Sequence, residues 1–251
     1  MLDIYRISAF QDNYIWVISQ DNQAVIVDPG EGQAVLNWLE KNQHTPIAIF
    51  ITHHHSDHCG GISTLLNHYP NLKVFGPAKE SIIGVNIPLE QGDQFEIFDE
   101  HFQVLEVPGH TLGHIAYVGD EKLFCGDVLF SAGCGRIFEG TTEQMYHSLQ
   151  ILKTLPDETQ VYCAHEYTAA NVAFACSVEP NNKALLQYRE KVNRLIAHDQ
   201  ATLPTSIGLE KQINPFLRCD KKILVQSISP KLPVTNEEQV FATLRKWKDT
   251  F

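Results

Sequence analysis

Ten residues, THHHSDHCGG at 52–61, restrict the possible folds and functions of this chain more than any other segment. The preceding residues 47–51 (IAIFI) predict a buried strand, and a helix is predicted from about Asp57 to His68. Because alternate residues of an extended segment point the same way, two histidines two positions apart can face one ion while His54 points away. A lone surface histidine or a terminal tag would mean little, but this run is internal and follows a core strand. The predicted metal ligands are His53, His55, Asp57 and His58.

Three more segments have the same form, a strand-like run that ends in a metal-capable residue. They are VPGHT at 107–111, FCGD at 124–127 and YCAHE at 162–166. Taken singly, the aspartate could cap a turn and either histidine could be a hydrogen-bonded core residue. Side chains on loops at strand ends, held by a rigid sheet, are typical of catalytic sites. The candidate ligands here are His110, Asp127 and His165.

Together the two sets supply seven ligands, the number that two metal ions need if one carboxylate bridges them. Two cations about 3.5–4 Å apart can share one water and lower its pKa toward 7, so that a hydroxide attacks a carbonyl carbon. A metal ion then stabilises the oxyanion. A protein nucleophile is not required, and the sequence has no GxSxG string and no evident triad partner for Cys59 or Cys163. The pattern therefore predicts a two-metal hydrolase.

Composition excludes several other classes of protein. The 251 residues carry a formal net charge of −11, which gives no global reason to bind nucleic acid or an anionic membrane. The N-terminus has no basic start followed by an apolar run, and no stretch of roughly 18 apolar residues exists, so neither a secretory signal nor a membrane span is expected. Six scattered cysteines without a CxxC pair are typical of reduced thiols, and a cytoplasmic location is expected.

The organisation of the chain changes near residues 165–170. Before that point strand-like runs alternate with helix-like segments, and after it the composition favours helices. We predict an α/β domain at 1–165 that carries the chemistry and a helical domain at 166–251 that closes one side of a cleft. Within the second domain, a polar, proline-containing stretch covers about 202–234. The helix-like segments cover 167–177, 181–198 and 236–248.

The HxHxDH string at 53–58 resembles the signature of the metallo-β-lactamase superfamily, and the chain resembles the glyoxalase II (hydroxyacylglutathione hydrolase) family from end to end. The segments that carry this resemblance are VDPG at 27–30, PGHTLGHI at 108–115, GDVLFSAGCGRIFEGT at 126–141, HEYT at 165–168, NPFLR at 214–218 and LRKWKD at 244–249. The resemblance implies an α/β metallo-β-lactamase αββα sandwich followed by a small α-helical C-terminal domain that binds substrate. It also implies hydrolysis of S-(2-hydroxyacyl)glutathione thioesters. S-D-lactoylglutathione would give glutathione and D-lactate, the second step of methylglyoxal detoxification.

The same resemblance implies roles for the seven ligands. One metal ion would be held by His53, His55 and His110, and the second by Asp57, His58 and His165. Asp127 would bridge the two ions, and the hydroxide between them would be the nucleophile. Asp57 would also orient that hydroxide. Zinc is the expected metal, although the same ligands suit iron or manganese.

Substrate contacts are implied at three places. Arg136 and Phe138 belong to the GCGRIF segment, where Phe138 lacks the hydroxyl that some relatives carry on a tyrosine. Tyr167 follows the ligand of the HEYT motif. Arg245 and Lys248 are three apart on a predicted helix, so they share a face and could hold the glycine carboxylate of glutathione. The alternative is that these two residues are a solvated helix end, where basic side chains favour the helix dipole.

The sequence also allows other functions of the superfamily. A lactonase, another thioesterase or a β-lactamase would use a similar site, although a secreted lactamase would need a signal peptide. A glutathione persulfide dioxygenase needs one iron, and the full second ligand set argues against it. A non-catalytic binding protein on this scaffold would lack ligands, and none is missing. A monomer with a small-molecule substrate as its partner is expected.

Overall fold

Two sheets organise the N-terminal half of the chain. The computed structural model describes residues 2–228 and 236–251. The chain forms two compact units. The first contains the residues up to Glu106 together with Thr111–Gly126, and the second contains Val107–His110 and Asp127–Phe251. The predicted family domains, 1–165 and 166–251, divide the chain at another position and stay a prediction.

The first sheet of the first unit runs in the order β1 to β6. The first three strands are antiparallel, and β3 to β6 are parallel. Strand β2 is buried at almost every position, which is typical of a strand covered on both faces. The strands are β1 (Asp3–Ala9), β2 (Asn13–Gln20), β3 (Gln23–Val27), β4 (Thr45–Phe50), β5 (Lys73–Pro77) and β6 (Ile87–Leu89).

An antiparallel meander forms the second sheet of this unit. Its strands are β7 (Gln94–Ile97), β8 (Glu100–Glu106), β9 (Ile115–Gly119) and β10 (Lys122–Gly126). Aromatic rings fill the space between the two sheets: Phe50 stacks on Tyr117 with ring centroids 4.7 Å apart and meets Phe95 and Phe102 edge-on. This packing makes a two-sheet sandwich of the kind predicted.

The first unit also contains α1 (Gly32–Asn42), α2 (Ser56–Cys59) and α3 (Ile62–His68). The prediction of one helix from Asp57 to His68 was wrong, because the chain breaks at Gly60 and Gly61. A methyl group on Gly61 would overlap the carbonyl oxygen of Pro29, so the backbone here packs directly on the turn after β3. The break lets α3 bury Ile62 and Leu65 in the core beside α1.

The second unit is mainly helical. Its helices are α4 (Thr142–Lys153), α5 (Thr168–Val178), α6 (Lys183–Ala197), α7 (Ile207–Ile213), α8 (Lys222–Ile228) and α9 (Glu237–Lys248), with a 3₁₀ turn at Pro215–Leu217. Its short strands are β11 (Leu129–Phe130), β12 (Gly133–Cys134), β13 (Gln160–Cys163) and β14 (Thr205–Ser206). Helix α4 begins at a capping box between Thr141 and Gln144, which fixes where the helix starts.

The polar, proline-containing stretch predicted at 202–234 contains the helices α7 and α8 and a buried carboxyl group. Glu210 on α7 is fully buried and accepts hydrogen bonds from Ser131, the Ala132 amide, Thr205 and Asn214. These hydrogen bonds offset the free-energy cost of burying the carboxyl group, and they connect α7 to the turn between β11 and β12. Residues 229–234 of the stretch lie outside the described residues.

Across residues 2–228 and 236–251, no helix combines the length and the apolar character needed to cross a membrane.

Candidate metal centre

The first group of candidate ligands lies on the loop between β4 and α2 and on α2 itself. His53 Nε2 lies 3.0 Å from His55 Nδ1, and the rings of His53 and His58 are 4.1 Å apart. His58 Nε2 lies 3.6 Å from a carboxylate oxygen of Asp57. The four side chains predicted from the HxHxDH string therefore converge within the first unit.

Asp28 holds this loop in place. It is buried directly after β3 in the left-handed conformation, with φ of 51°. Its carboxylate accepts hydrogen bonds from the Thr52 amide at 2.8 Å and the Thr52 hydroxyl at 2.7 Å, and its Oδ2 lies 3.0 Å from His58 Nδ1. A carboxylate on one imidazole nitrogen directs the other nitrogen toward a metal and raises its basicity.

Further residues around this group were not predicted from the sequence. The Asn13 amide donates to an Asp57 carboxylate oxygen at 3.0 Å, and the buried His114 stacks on His53 at 4.6 Å. His54 turns away as expected, and its Nδ1 lies 3.0 Å from Glu80. In the sequence, Asp28 stands out only as part of the VDPG segment at 27–30, and Asn13 belongs to no motif.

The second group, His110, Asp127 and His165, lies in the second unit. His110 Nε2 lies 3.4 Å from one Asp127 carboxylate oxygen, and His165 Nε2 lies 3.4 Å from the other. All three residues are buried, and each follows or ends a strand-like run as predicted. A carboxylate that presents one oxygen to each of two imidazoles has the form of a bridging ligand.

A short loop from β12 to Arg136 supports this second group. The Arg136 carbonyl lies 2.8 Å from His110 Nδ1, which fixes the orientation of the ring. A methyl group on Gly135 would overlap the carbonyl oxygen of Asp127, so only glycine lets the loop approach this closely. Two candidate ligands therefore depend on one stretch of backbone.

Aromatic rings lie against the imidazoles of the second group. Phe138 meets the His110 ring edge-on at 5.2 Å, and Tyr167 stacks on His165 at 4.7 Å with an interplanar angle of 5°. Both rings are substantially exposed, so each presents an apolar surface beside a candidate metal-ligating histidine. This surface suits the apolar part of a bound molecule.

The basic residues of the second unit differ in accessibility. The Arg136 side chain is 62% exposed, whereas Arg245 is buried and donates to Asp249 and to the Cys134 carbonyl. Lys248 is half-buried and donates to the Ala170 carbonyl at 3.2 Å. Burial, together with the nearby Arg245 charge, lowers the pKa of Lys248 below its usual value. Arg136 and Lys248 are thus the more available cations, and the substrate role predicted for Arg245 stays a prediction.

The donor atoms in both groups suit divalent metal ions. Imidazole nitrogen and carboxylate oxygen are ligands of zinc, iron and manganese, and buried carboxylates are stable when they bind a cation. The backbone carbonyl or carboxylate beside His58 and His110 completes the arrangement expected around metal-ligating histidines.

Comparison with known proteins agrees with these features. Residues 10–165 match the sequence model of the metallo-β-lactamase superfamily, and residues 166–251 match that of the hydroxyacylglutathione hydrolase C-terminus. A hydroxyacylglutathione hydrolase from Aliivibrio salmonicida is 58% identical, and one from Vibrio cholerae is 54% identical, each over 252 residues that cover 100% of both chains.

Solved structures extend the comparison to the fold. The crystal structure of ETHE1 from Myxococcus xanthus has a TM-score of 0.66 at 26% identity and covers 100% of this chain and 99% of its own. The di-iron-bound form of TTHA1623 has a TM-score of 0.61 at 25% identity and covers 85% of this chain and 100% of its own. With the C-terminal helical region included, these likenesses confirm the predicted α/β metallo-β-lactamase fold. The chain belongs to the hydroxyacylglutathione hydrolase (glyoxalase II) family of the metallo-β-lactamase superfamily.

Proposed function

We propose that this protein hydrolyses S-(2-hydroxyacyl)glutathione thioesters and that S-D-lactoylglutathione is converted to glutathione and D-lactate. The observation that carries the proposal is the identity of 54–58% to hydroxyacylglutathione hydrolases along the whole chain. No acyl-enzyme is needed, which agrees with the absence of a GxSxG string from the sequence.

The proposed metal ligands follow the family pattern. His53, His55 and His110 would hold one ion, Asp57, His58 and His165 the other, and Asp127 would be shared. The convergence of His53, His55, Asp57 and His58 within the loop before α2 and α2 itself supports this assignment. The placement of the two Asp127 oxygens toward His110 and His165 supports it as well. We propose zinc as the metal, with iron or manganese able to use the same donors.

Divalent cations held there would supply a water of lowered pKa and would polarise the thioester carbonyl. The protein's own residues would fix the geometry. The Asn13 amide donates to one carboxylate oxygen of Asp57 and would fix the orientation of this proposed ligand. Because a thiolate is a good leaving group, we assign no general acid to the departing glutathione sulfur.

The proposed substrate contacts lie in the second unit. Phe138 and Tyr167 would pack against the bound thioester, because both rings are exposed beside candidate ligands. Arg136 and Lys248 would bind the glycine carboxylate of glutathione, which gives this acidic protein a local site for an anion. These contacts would make residues 166–251 the substrate-binding domain together with the segment around Arg136.

We further propose that the protein acts as a monomer in the cytoplasm, where glutathione is abundant. Size-exclusion chromatography with light scattering would test the first point, and fractionation of the native cells would test the second.

The central test is hydrolysis of S-D-lactoylglutathione by purified protein, with metal content measured on the same sample. A chelator-treated sample restored with zinc provides the control. Rapid turnover that is lost on chelation and restored at about two ions per chain is expected. A fully metallated protein without turnover would overturn the thioester proposal. Assays with lactones and with other thioesters would then identify which reaction of the superfamily this chain performs.

A further inference from the structure

Arg245 lies on α9, far along the chain from every candidate ligand, yet its guanidinium contacts the loop that supports two of them. Its Nη1 donates to the Cys134 carbonyl at 2.9 Å and lies 3.5 Å from the Gly135 carbonyl. Its Nε and Nη2 donate to one carboxylate oxygen of Asp249 at 3.1 and 2.8 Å. Each guanidinium nitrogen therefore has a protein acceptor, and the side chain is 6% exposed.

The loop that Arg245 holds continues directly into the second ligand group. Gly135 packs against the Asp127 backbone, and its amide donates to the Val128 carbonyl at 3.1 Å. The next residue, Arg136, accepts the bond at His110 Nδ1 through its carbonyl. The order of contacts is thus α9, the 134–136 backbone, and then both His110 and Asp127.

We propose that Arg245 is a positioning residue of the metal centre, which it serves by fixing the 134–136 backbone against His110 and Asp127. A planar guanidinium suits this role because it can bind the carbonyl and the carboxylate at once with fixed geometry. Asp249 fixes the orientation of the guanidinium, and the Arg245 Cζ atom lies 5.4 Å from the centroid of the Phe216 ring. The inference rests on the proposed metal assignment, but it does not depend on which thioester the enzyme hydrolyses.

The sign of the expected effect separates this role from simple electrostatics. Removing a positive charge near a cation site should strengthen metal binding slightly, because a repulsion is lost. Removing a residue that positions two ligands should weaken it, and outer partners of ligating histidines typically contribute 10- to 100-fold in affinity. The two explanations therefore predict opposite changes.

The test compares Arg245→Met with Lys248→Met, which removes the same charge from the same helix. Zinc dissociation constants are measured on apoprotein by competition with a chromophoric chelator, and circular dichroism of the apoprotein checks the fold. We expect Arg245→Met to weaken zinc binding about 10- to 100-fold and to speed amide exchange across 134–138, whereas Lys248→Met keeps affinity within about twofold.

Arg245→Lys is the second variant, in case the methionine variant does not fold. It keeps the charge and an alkyl stem but lacks the planar fork that binds the Cys134 carbonyl and Asp249 in fixed geometry, so an intermediate loss of affinity is expected. A folded Arg245→Met or Arg245→Lys protein with wild-type zinc affinity would overturn the proposal, as would an equal loss in Lys248→Met. Turnover of S-D-lactoylglutathione by the wild type is measured separately, so a failure of the thioester proposal would be recognised independently.

Discussion

The two groups of candidate ligands are built in different ways. His53, His55, Asp57 and His58 occupy one short segment of the first unit, the loop before α2 and α2 itself, and the buried carboxylate of Asp28 contacts this segment at both Thr52 and His58. His110, Asp127 and His165 come from three separate segments of the second unit, and a strip of backbone at 134–136 supports two of them. The first group is local in sequence and the second is assembled by the fold.

This difference extends to substrate binding. The exposed rings and accessible cations proposed to contact glutathione, namely Phe138, Tyr167, Arg136 and Lys248, all belong to the second unit. The first group is enclosed by polar partners such as Asn13 and His114. We infer that the first unit serves mainly to bind metal, whereas the second binds both metal and substrate.

Replacing the shared ligand should have the largest effect. Asp127→Ala removes the carboxylate that faces both His110 and His165, so both metal content and turnover should fall, with turnover down about a thousandfold or more. Metal analysis and S-D-lactoylglutathione hydrolysis on the same sample measure this. Asp120→Ala, in the exposed turn between β9 and β10, is the matched control. A fully active Asp127→Ala protein would contradict the two-metal site.

Loosening the first group should affect metal binding without changing substrate affinity. Asp28→Ala removes the carboxylate that forms three hydrogen bonds, two with Thr52 and one with His58. We therefore expect a loss of about 3 kcal/mol in the free energy of unfolding. Zinc affinity should fall about 10- to 100-fold. Denaturant titration of the apoprotein and chelator competition measure the two effects.

Two controls separate the causes of the Asp28 effect. Asp21→Ala changes an exposed aspartate that also has a positive φ, of 50°, so it reports the backbone cost alone. Asp28→Asn keeps the shape and tolerates the left-handed backbone, and it should retain part of the affinity. If Asp28→Ala raised KM and left zinc affinity intact, the inference that the first unit serves mainly to bind metal would be wrong.

Removing a cation from the second unit should weaken substrate binding without changing metal binding. Lys248→Met should raise KM for S-D-lactoylglutathione about 5- to 10-fold through loss of a charge-assisted hydrogen bond, with little change in kcat. Lys246→Met, an exposed lysine on the same helix, is the control. An unchanged KM in Lys248→Met would remove this residue from the substrate site.

The pH profile sharpens the same prediction. The pKa of Lys248 is lowered by burial and by the Arg245 charge, so the ammonium loses its proton at a lower pH than an ordinary lysine does. Binding an anion favours the charged form, and KM should therefore rise on the alkaline side of the profile as Lys248 deprotonates. This alkaline rise should be absent from Lys248→Met.

The smallest expected effect comes from restoring a hydroxyl. Phe138→Tyr adds a hydrogen-bond donor at an exposed ring whose backbone is already fixed by the His110 carbonyl. We expect KM to fall about two- to fivefold while zinc affinity is unchanged. A higher KM would show that the ring edge at Phe138 needs an apolar surface instead.

The comparison between the two groups also explains what the sequence could reveal. The HxHxDH spacing and the strand-end residues point to ligands because the relation is local, and the motifs correctly predicted the family. Asp28 and Asn13 act on residues 24 to 44 positions away, so their roles depend on pairings that only the fold creates.

The prediction of secondary structure failed where the local sequence pattern and the tertiary packing disagreed. The predicted helix from Asp57 to His68 ran through Gly60 and Gly61, but glycine favours helix poorly and the close approach of the turn after β3 interrupts the helix there. The stretch at 202–234 was described only as polar, although four hydrogen bonds allow Glu210 within it to be fully buried. In both places the deciding contact comes from a distant part of the chain.

The glycines around the first loop have a consequence for how substitutions are tolerated. Side-chain atoms added at Gly30 or Gly61 would overlap the carbonyl oxygens of Asp57 or Pro29, so backbone meets backbone with no space for a methyl group. In a saturation mutagenesis screen these glycines would therefore score as strictly as the ligands do, although neither has a side chain to offer a metal. A map of intolerant positions would outline the packing of the loop as well as its chemistry, and it would make the active site look larger than the set of atoms that perform the reaction.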